Sequence, residues 1–323
     1  MDERRLQDRR PLFAKSFSES FSRLEGHASS NAKLAGNPLL ETRLFELCSD
    51  GLAAVRARSN FPRAGQSLFA KGEQMADDSA DKFVDWYMKL EVGTSEWGTT
   101  TVSLNKYMIG ADTTSEKAQA RNAVLAAARR KQLSPRQGPF TRANNGKVSP
   151  ADCEHILSMA VDSGAVKREN IQAWADKNFG VDCTGFAVAY YDWINLIDIE
   201  HYSGGASCFA LLNKAKNNHR PADGGPLIWD LGDVQADDMI LWMNEAQVET
   251  RAPGHIALIY DIDSDAGILY TAESNGANDG HGHYGPKITQ RNWVGPHSGG
   301  GPRYIQLGKS DKVIIVRPPP KFG

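Results

Sequence analysis

The sequence predicts an α+β protein: a mostly helical N-terminal region, then a domain in which a cysteine stands at the start of a helix and short strands follow. Three observations predict it. Apolar residues recur at helical spacing through the first half of the chain. At Asn178-Phe179-Gly180-Val181-Asp182-Cys183-Thr184-Gly185-Phe186 a loop turns into a helix, and the apolar run Ala187 to Ile197 follows. From Leu227 onward the period shortens to that of strands.

The elements follow in order. Residues 1 to about 38 are polar, with Phe13, Phe17 and Phe21 spaced by four, and read as a docking or loosely ordered arm. Leu39 to Arg58 carries Leu40, Leu44, Leu47, Leu52 and Val55 near helical spacing. Asp77 to Leu90 repeats the pattern with Phe83, Trp86, Tyr87 and Leu90. Glu91 to Tyr107, with threonines and glycine punctuation, suits a short hairpin or loop. Ser115 caps an alanine- and arginine-rich helix that runs to Lys131. The proline- and glycine-bearing stretch Leu133 to Gly146 reads as a linker. It divides the chain into a mostly helical region, 1–146, for which a delivery or targeting role is expected, and a second domain that bears Cys183, 147–323.

Ser149-Pro150 opens the next helix, and a second, Arg168 to Asn178, delivers the chain to Cys183. Tyr202 to Gly225 reads as exposed loops. Asp238 to Trp242 and Gly254 to Asp261 read as strands, and Ile268 to Ser274 pairs back on the latter as a hairpin. Glycine-rich loops are expected at Asn275 to Gly285 and His297 to Gly301, and Lys312 to Arg317 is a last strand before three prolines.

Composition narrows the function classes. The chain has 323 residues, 41% hydrophobic and 24% charged, as expected of a globular protein. A formal net charge of -2 supplies no basic field for nucleic acid. No apolar run is long enough to span a bilayer, and Met1-Asp2-Glu3-Arg4-Arg5 leads into polar sequence and no secretory signal. Cys48, Cys153, Cys183 and Cys208 are scattered without C-x-x-C spacing, which supports neither a zinc ribbon nor a dithiol redox motif. The spacing leaves a Cys48–Cys153 or a Cys153–Cys208 disulfide open, since pairing depends on geometry. No cofactor and no metal are expected.

The chemistry gathers at Cys183. A thiol at a helix N-terminus faces unpaired N–H groups and the positive end of the helix dipole, which favour the thiolate. A buried structural cysteine is the alternative. Cysteine catalysis also needs a base within reach and a polar group behind the imidazole. His255 starts one strand, and Glu273 and Asn275 lie at the end of its hairpin partner. Glu273 and Asn275 share a face, so either residue is a candidate to orient His255.

These segments carry a resemblance. Val181-Asp182-Cys183-Thr184-Gly185-Phe186 resembles the Asp-Cys-Ser-Gly-Phe motif of NlpC-type cell-wall peptidases, with Thr184 in place of serine. Gly254-His255-Ile256-Ala257-Leu258-Ile259-Tyr260 resembles their histidine strand. Glu273-Ser274-Asn275 is similar to the Glu-x-Asn segment of the cysteine, histidine-dependent amidohydrolase/peptidase (CHAP) group. Asp237-Asp238-Met239-Ile240-Leu241-Trp242 resembles the Pro-Gly-Asp strand that precedes the histidine, with Asp238 at the aspartate. The resemblance covers roughly residues 148 to 318. It implies a papain-like α+β domain, with the cysteine-bearing helix packed on a small antiparallel sheet, and metal-free hydrolysis of amide bonds in peptidoglycan stem peptides. The tyrosine that such enzymes carry upstream of the cysteine has no match here; Trp174 and Phe179 are the nearby aromatics.

A wall enzyme without a signal peptide implies a specialised route, as for an antibacterial effector or a phage lytic protein, with the periplasm of a target cell as its destination. An effector would have an immunity protein and secretion machinery as partners. Two alternatives stand beside this reading: a protease, deamidase or acyltransferase acting on proteins in a target cytosol, and a silent binding module. Asp279, His281 and His283 lack a matching ligand set, and Asp261, Asp263 and Asp265 lack the glycine and glutamate offsets of a calcium loop. Cys208 reads as structural, and Trp193, Trp229, Trp242 and Trp293 mostly as core.

Overall fold

The computed structural model describes residues 79–94, 98–108, 115–199, 207–219, 225–243, 254–277, 284–297 and 303–322. The aromatic arm, the helix expected over Leu39 to Arg58, and the Asp279, His281 and His283 loop lie outside these residues. The chain divides between Phe69 and Ala70, so every described residue belongs to the second unit.

Helix α1 (Ala80–Met88) leads into the hairpin β1 (Leu90–Thr94) and β2 (Gly98–Val102). Helix α2 (Glu116–Arg130) begins where Ser115 accepts a hydrogen bond from the Ala118 N–H, as its sequence predicts. The expected linker instead contains helix α3 (Gln137–Asn144). Pro139 falls in its first turn, where a helix needs no N–H donor, and Phe140 and Ala143 are buried. Helix α4 (Pro150–Asp162) has a full capping box between Ser149 and Asp152. A short 3₁₀ turn then leads into α5 (Ile171–Asn178).

Helix α6 (Cys183–Trp193) is buried from Cys183 to Tyr191, as its apolar sequence requires. Phe83 of α1 packs on Phe186 and Tyr190, with centroids 5.5 and 5.6 Å away, and stacks on Trp193 at 5.2 Å. Buried residues between Ala80 and Phe322 thus belong to one hydrophobic core. The section expected to be loops contains helix α7 (Cys208–Asn218), capped by Ser207.

The strands are β3 (Leu227–Ile228), β4 (Met239–Trp242), β5 (His255–Asp263), β6 (Ile268–Asn275), β7 (Gly285–His297), β8 (Tyr304–Leu307) and β9 (Asp311–Val316). The expected papain-like arrangement, a helix on a small open sheet, is overturned here. Strands β4 to β9 form a closed six-stranded antiparallel barrel, because β9 pairs with β4 along one edge and with β8 along the other. Closure removes the edges an open sheet would expose. Register shifts at Ile259/Asp261 and Trp293/Gly295 supply the local bending, and Gly295 takes a φ of 135°.

Alternation divides the barrel's residues into two cores. Ile240, Ala257, Ile259, Leu269, Ile305, Leu307, Val313 and Ile315 fill one. Met239, Leu241, Ile256, Leu258, Ala272, Ile314 and Val316 belong to the core of α6 and the other helices. The barrel was hidden in the sequence because β7 reverses the usual pattern. Its Lys287, Thr289 and Arg291 are buried or half-buried, whereas Ile288 and Val294 are 44% and 58% exposed. The reason lies in what those polar residues hold.

Candidate active site

The site forms where the start of α6 meets the ends of β5 and β6. Asp182 caps α6, its carboxylate accepting from the Gly185 N–H at 2.5 Å. Lys147 Nζ lies 2.7 and 2.6 Å from the two Asp182 oxygens, and both side chains are nearly buried. Burial raises the Asp182 carboxyl to about 6, although Lys147 and the Gly185 N–H pull it down.

The two glycines flanking the cysteine allow close approach. A Cβ on Gly185 would lie 2.3 Å from the Gly146 carbonyl oxygen, and one on Gly180 would lie 2.6 Å from the Met108 side chain. The chain at Lys106–Met108 can therefore run alongside Gly180 and Val181. The Val181 N–H donates to the Lys106 carbonyl at 3.2 Å, and Tyr107 forms a parallel bridge with Val181. This places the Tyr107 hydroxyl where the Cys183 charge acts on it.

Cys183, the first residue of α6, is 7% exposed. Its sulfur lies 3.8 Å from the Thr184 hydroxyl, and His255 and Cys208 are its electrostatic partners. His255 opens β5 opposite Trp242, the rings 5.0 Å apart. His255 Nε2 lies 2.6 Å from Glu273 Oε2, which leaves Nδ1 as the nitrogen for sulfur. Glu273 is fully buried. Its other oxygen accepts from the Thr289 hydroxyl at 2.9 Å and from Arg291 Nη2 at 2.5 Å. Thr271 and Thr289 hydroxyls meet at 2.7 Å, and the Arg291 guanidinium lies over the Trp242 ring at 5.1 Å. The polar face of β7 thus satisfies a buried carboxylate, as burial of charge demands.

The titrations follow from these contacts. Cys183 is held down to about 3: the Cys208 hydrogen bond contributes most, burial opposes it, and the bond and charge of His255 add to the lowering. Burial pushes the His255 imidazolium down, but bonds and charge from Cys183 and Glu273 outweigh it and raise the group to about 9. Glu273 goes to about 2, burial being outweighed by His255, Arg291 and Thr289. Burial pushes Tyr107 up, and the Cys183 charge pushes it further, so its hydroxyl keeps its proton. The directions of these shifts favour a thiolate–imidazolium pair backed by a carboxylate.

The structure brings Cys183, His255 and Glu273 together. Asn275 is set apart from them: its side-chain oxygen accepts from the Ala277 N–H at 2.9 Å and stabilises the turn after β6. Asp238 is also structural, accepting from Arg317 Nε at 3.1 Å and from the Gln235 N–H at 2.7 Å. Where a Pro-Gly turn was expected, Asp237 takes a φ of 72°, and Tyr191 donates to its carbonyl at 2.9 Å.

Trp174 and Phe179 pair with each other, centroids 5.5 Å apart, and Tyr107 occupies the aromatic position at the thiol. Tyr107 was not legible, because it follows a hairpin and reaches the site through backbone pairing alone. Cys208, read as structural, shares the Thr184 hydroxyl with Cys183, 3.7 Å from its own sulfur. Cys153, Cys183 and Cys208 are free thiols, so the Cys153–Cys208 pairing left open by spacing is not formed.

Among the described residues no cluster of three or more His, Cys, Asp or Glu side chains is placed to hold a metal ion. Among the same residues no helix is long and apolar enough to cross a membrane. Comparison of the chain with protein-family models, curated proteins and solved structures found no match.

Proposed function

We propose that this chain is a cysteine hydrolase that cleaves amide bonds in peptides, with peptidoglycan stem peptides as its substrate class. The observation that carries the reading is the His255 imidazole, 2.6 Å from the Glu273 carboxylate and in electrostatic reach of the Cys183 thiol. The stem-peptide class rests on the resemblance of the Cys183 and His255 segments to those of NlpC-type and CHAP enzymes.

The Cys183 thiolate attacks the scissile carbonyl carbon, and the carbonyl π electrons move onto oxygen. The Cys183 N–H, in the first turn of α6, and the Tyr107 hydroxyl supply donors for that oxyanion. As the C–N bond breaks, His255 gives its proton to the leaving amine and a thioester remains. Neutral His255 then takes a proton from water, whose oxygen attacks the thioester. The carboxylic acid product leaves and the ion pair re-forms. Glu273 holds the imidazole ring in one orientation and stabilises its charged form.

The test is release of new amino termini from purified peptidoglycan by wild type and by Cys183→Ala. Release by wild type alone supports the reading; equal release by both removes it. Expression directed to the bacterial periplasm should lyse cells that tolerate cytoplasmic expression. Toxicity from the cytoplasm with intact walls would redirect the same triad to protein substrates.

A further inference from the structure

The thiol of Cys208 has no part in that mechanism, yet it lies against the nucleophile. Cys183 and Cys208 are the first residues of α6 and α7, so two helix N-termini converge on one pair of sulfurs. The Thr184 hydroxyl bridges them, 3.8 Å from Cys183 Sγ and 3.7 Å from Cys208 Sγ, so both sulfurs sit against one hydroxyl. Both residues are buried, at 7% and 5% exposure, so the oxidant considered is a small one.

We propose that Cys183 and Cys208 form a peroxide-sensitive dithiol, in which Cys208 traps oxidised Cys183 as a reversible disulfide that switches the nucleophile off. The inference rests on the reading of Cys183 as a thiolate. In the first step the Cys183 thiolate attacks one oxygen of hydrogen peroxide. An S–O bond forms, the O–O bond breaks, and the departing hydroxide takes a proton to become water. In the second step Cys208 gives up its proton and attacks the Cys183 sulfur. The S–S bond forms, the S–O bond breaks, and hydroxide leaves with that proton as a second water. Each sulfur is oxidised by one electron and peroxide is reduced by two.

The electrostatics favour this order. Cys208 is pushed up chiefly by its bond to Cys183, then by burial and the Cys183 charge. Conversion of Cys183 to a neutral sulfenic acid removes that charge. The Lys147 ammonium and the α7 N-terminus then favour the Cys208 thiolate at the moment it must attack.

The full-length chain is treated with hydrogen peroxide, alkylated, digested and mapped by mass spectrometry. The expected product is a peptide pair joined through Cys183 and Cys208, which dithiothreitol returns to free thiols. In Cys208→Ser and Cys208→Ala, Cys183 should pass to sulfinic acid that dithiothreitol does not recover. Sulfinic acid at Cys183 in wild type without a disulfide, an unmodified Cys183, or a bond to Cys48 or Cys153 would each overturn the proposal. Alkylation of Cys183 by iodoacetamide at about pH 5, where an ordinary thiol is almost wholly protonated, tests the thiolate separately. Rapid alkylation with no disulfide sinks the switch alone; slow alkylation sinks the thiolate and the switch with it.

Discussion

His255 Nε2 and Glu273 Oε2 lie 2.6 Å apart, one at the start of β5 and the other buried near the end of β6. The contact commits one imidazole nitrogen and turns the other toward Cys183. Glu273→Gln keeps the shape and removes the charge. It should reduce kcat by roughly a hundredfold, the lower end of what a positioned acid–base group contributes. Arg291 and Thr289 would still bond the amide oxygen, so the thermal midpoint should move little beside kcat. Steady-state kinetics and a thermal melt check both.

The pH profile should report the ion pair. With Cys183 held down to about 3 and His255 raised to about 9, kcat/KM is expected to form a broad bell between those limits. Glu273→Gln removes charge that favours the imidazolium, so its alkaline limb should move to lower pH. An unmoved limb would mean that the carboxylate does not act on the ring.

Stability should carry the same signature. The raised His255 value contributes stability that is complete below its ordinary 6.5 and is lost as pH rises through about 9. The depressed Cys183 value contributes stability present above its ordinary 9.0 and lost as pH falls through about 3. Between 6.5 and about 9 the two trends offset; below 6.5 the His255 contribution is constant while that of Cys183 still changes. The Tm difference between wild type and Cys183→Ala should therefore shrink as pH falls from 6.5 toward 3.

Tyr107→Phe deletes one hydroxyl and keeps the ring that packs beside Gly276. Loss of one oxyanion donor typically costs about a hundredfold or more in kcat. That fall, with KM nearly constant, is the expected result. A change confined to KM would assign Tyr107 to substrate binding instead.

Two substitutions test the scaffold. Lys147→Met leaves the Asp182 carboxylate buried beside a reactive sulfur, and breaking a buried pair costs about 3–5 kcal/mol. Chemical denaturation should show a loss of that order, largest above about pH 6, where Asp182 is charged. In Gly185→Ala the new methyl would meet the Gly146 carbonyl at 2.3 Å, so a loss of about 1–3 kcal/mol is expected from overpacking.

Much of this was legible locally. Ser115 and Ser149 cap helices as their sequences predict, and the Cys183 helix and the β5–β6 hairpin lie close to where periodicity puts them. The choice between Glu273 and Asn275 was not legible. Both side chains fall on one face of β6, and only the partners of Glu273 on β7 decide it. Strand β7 was missed because its inward residues are Lys287, Thr289 and Arg291, the reverse of an apolar core pattern. Helix α7 was missed because glycines and a cluster of polar residues surround its apolar positions.

By itself, the sequence determined where Cys183 and His255 stand in their elements, because capping, glycine placement and residue alternation act over a few neighbours. Tertiary structure alone decided that the strands close into a barrel and that Tyr107, Cys208 and Arg291 gather around the same sulfur and carboxylate. Those contacts join residues far apart along the chain, and their energy depends on pairing and burial that no local window contains.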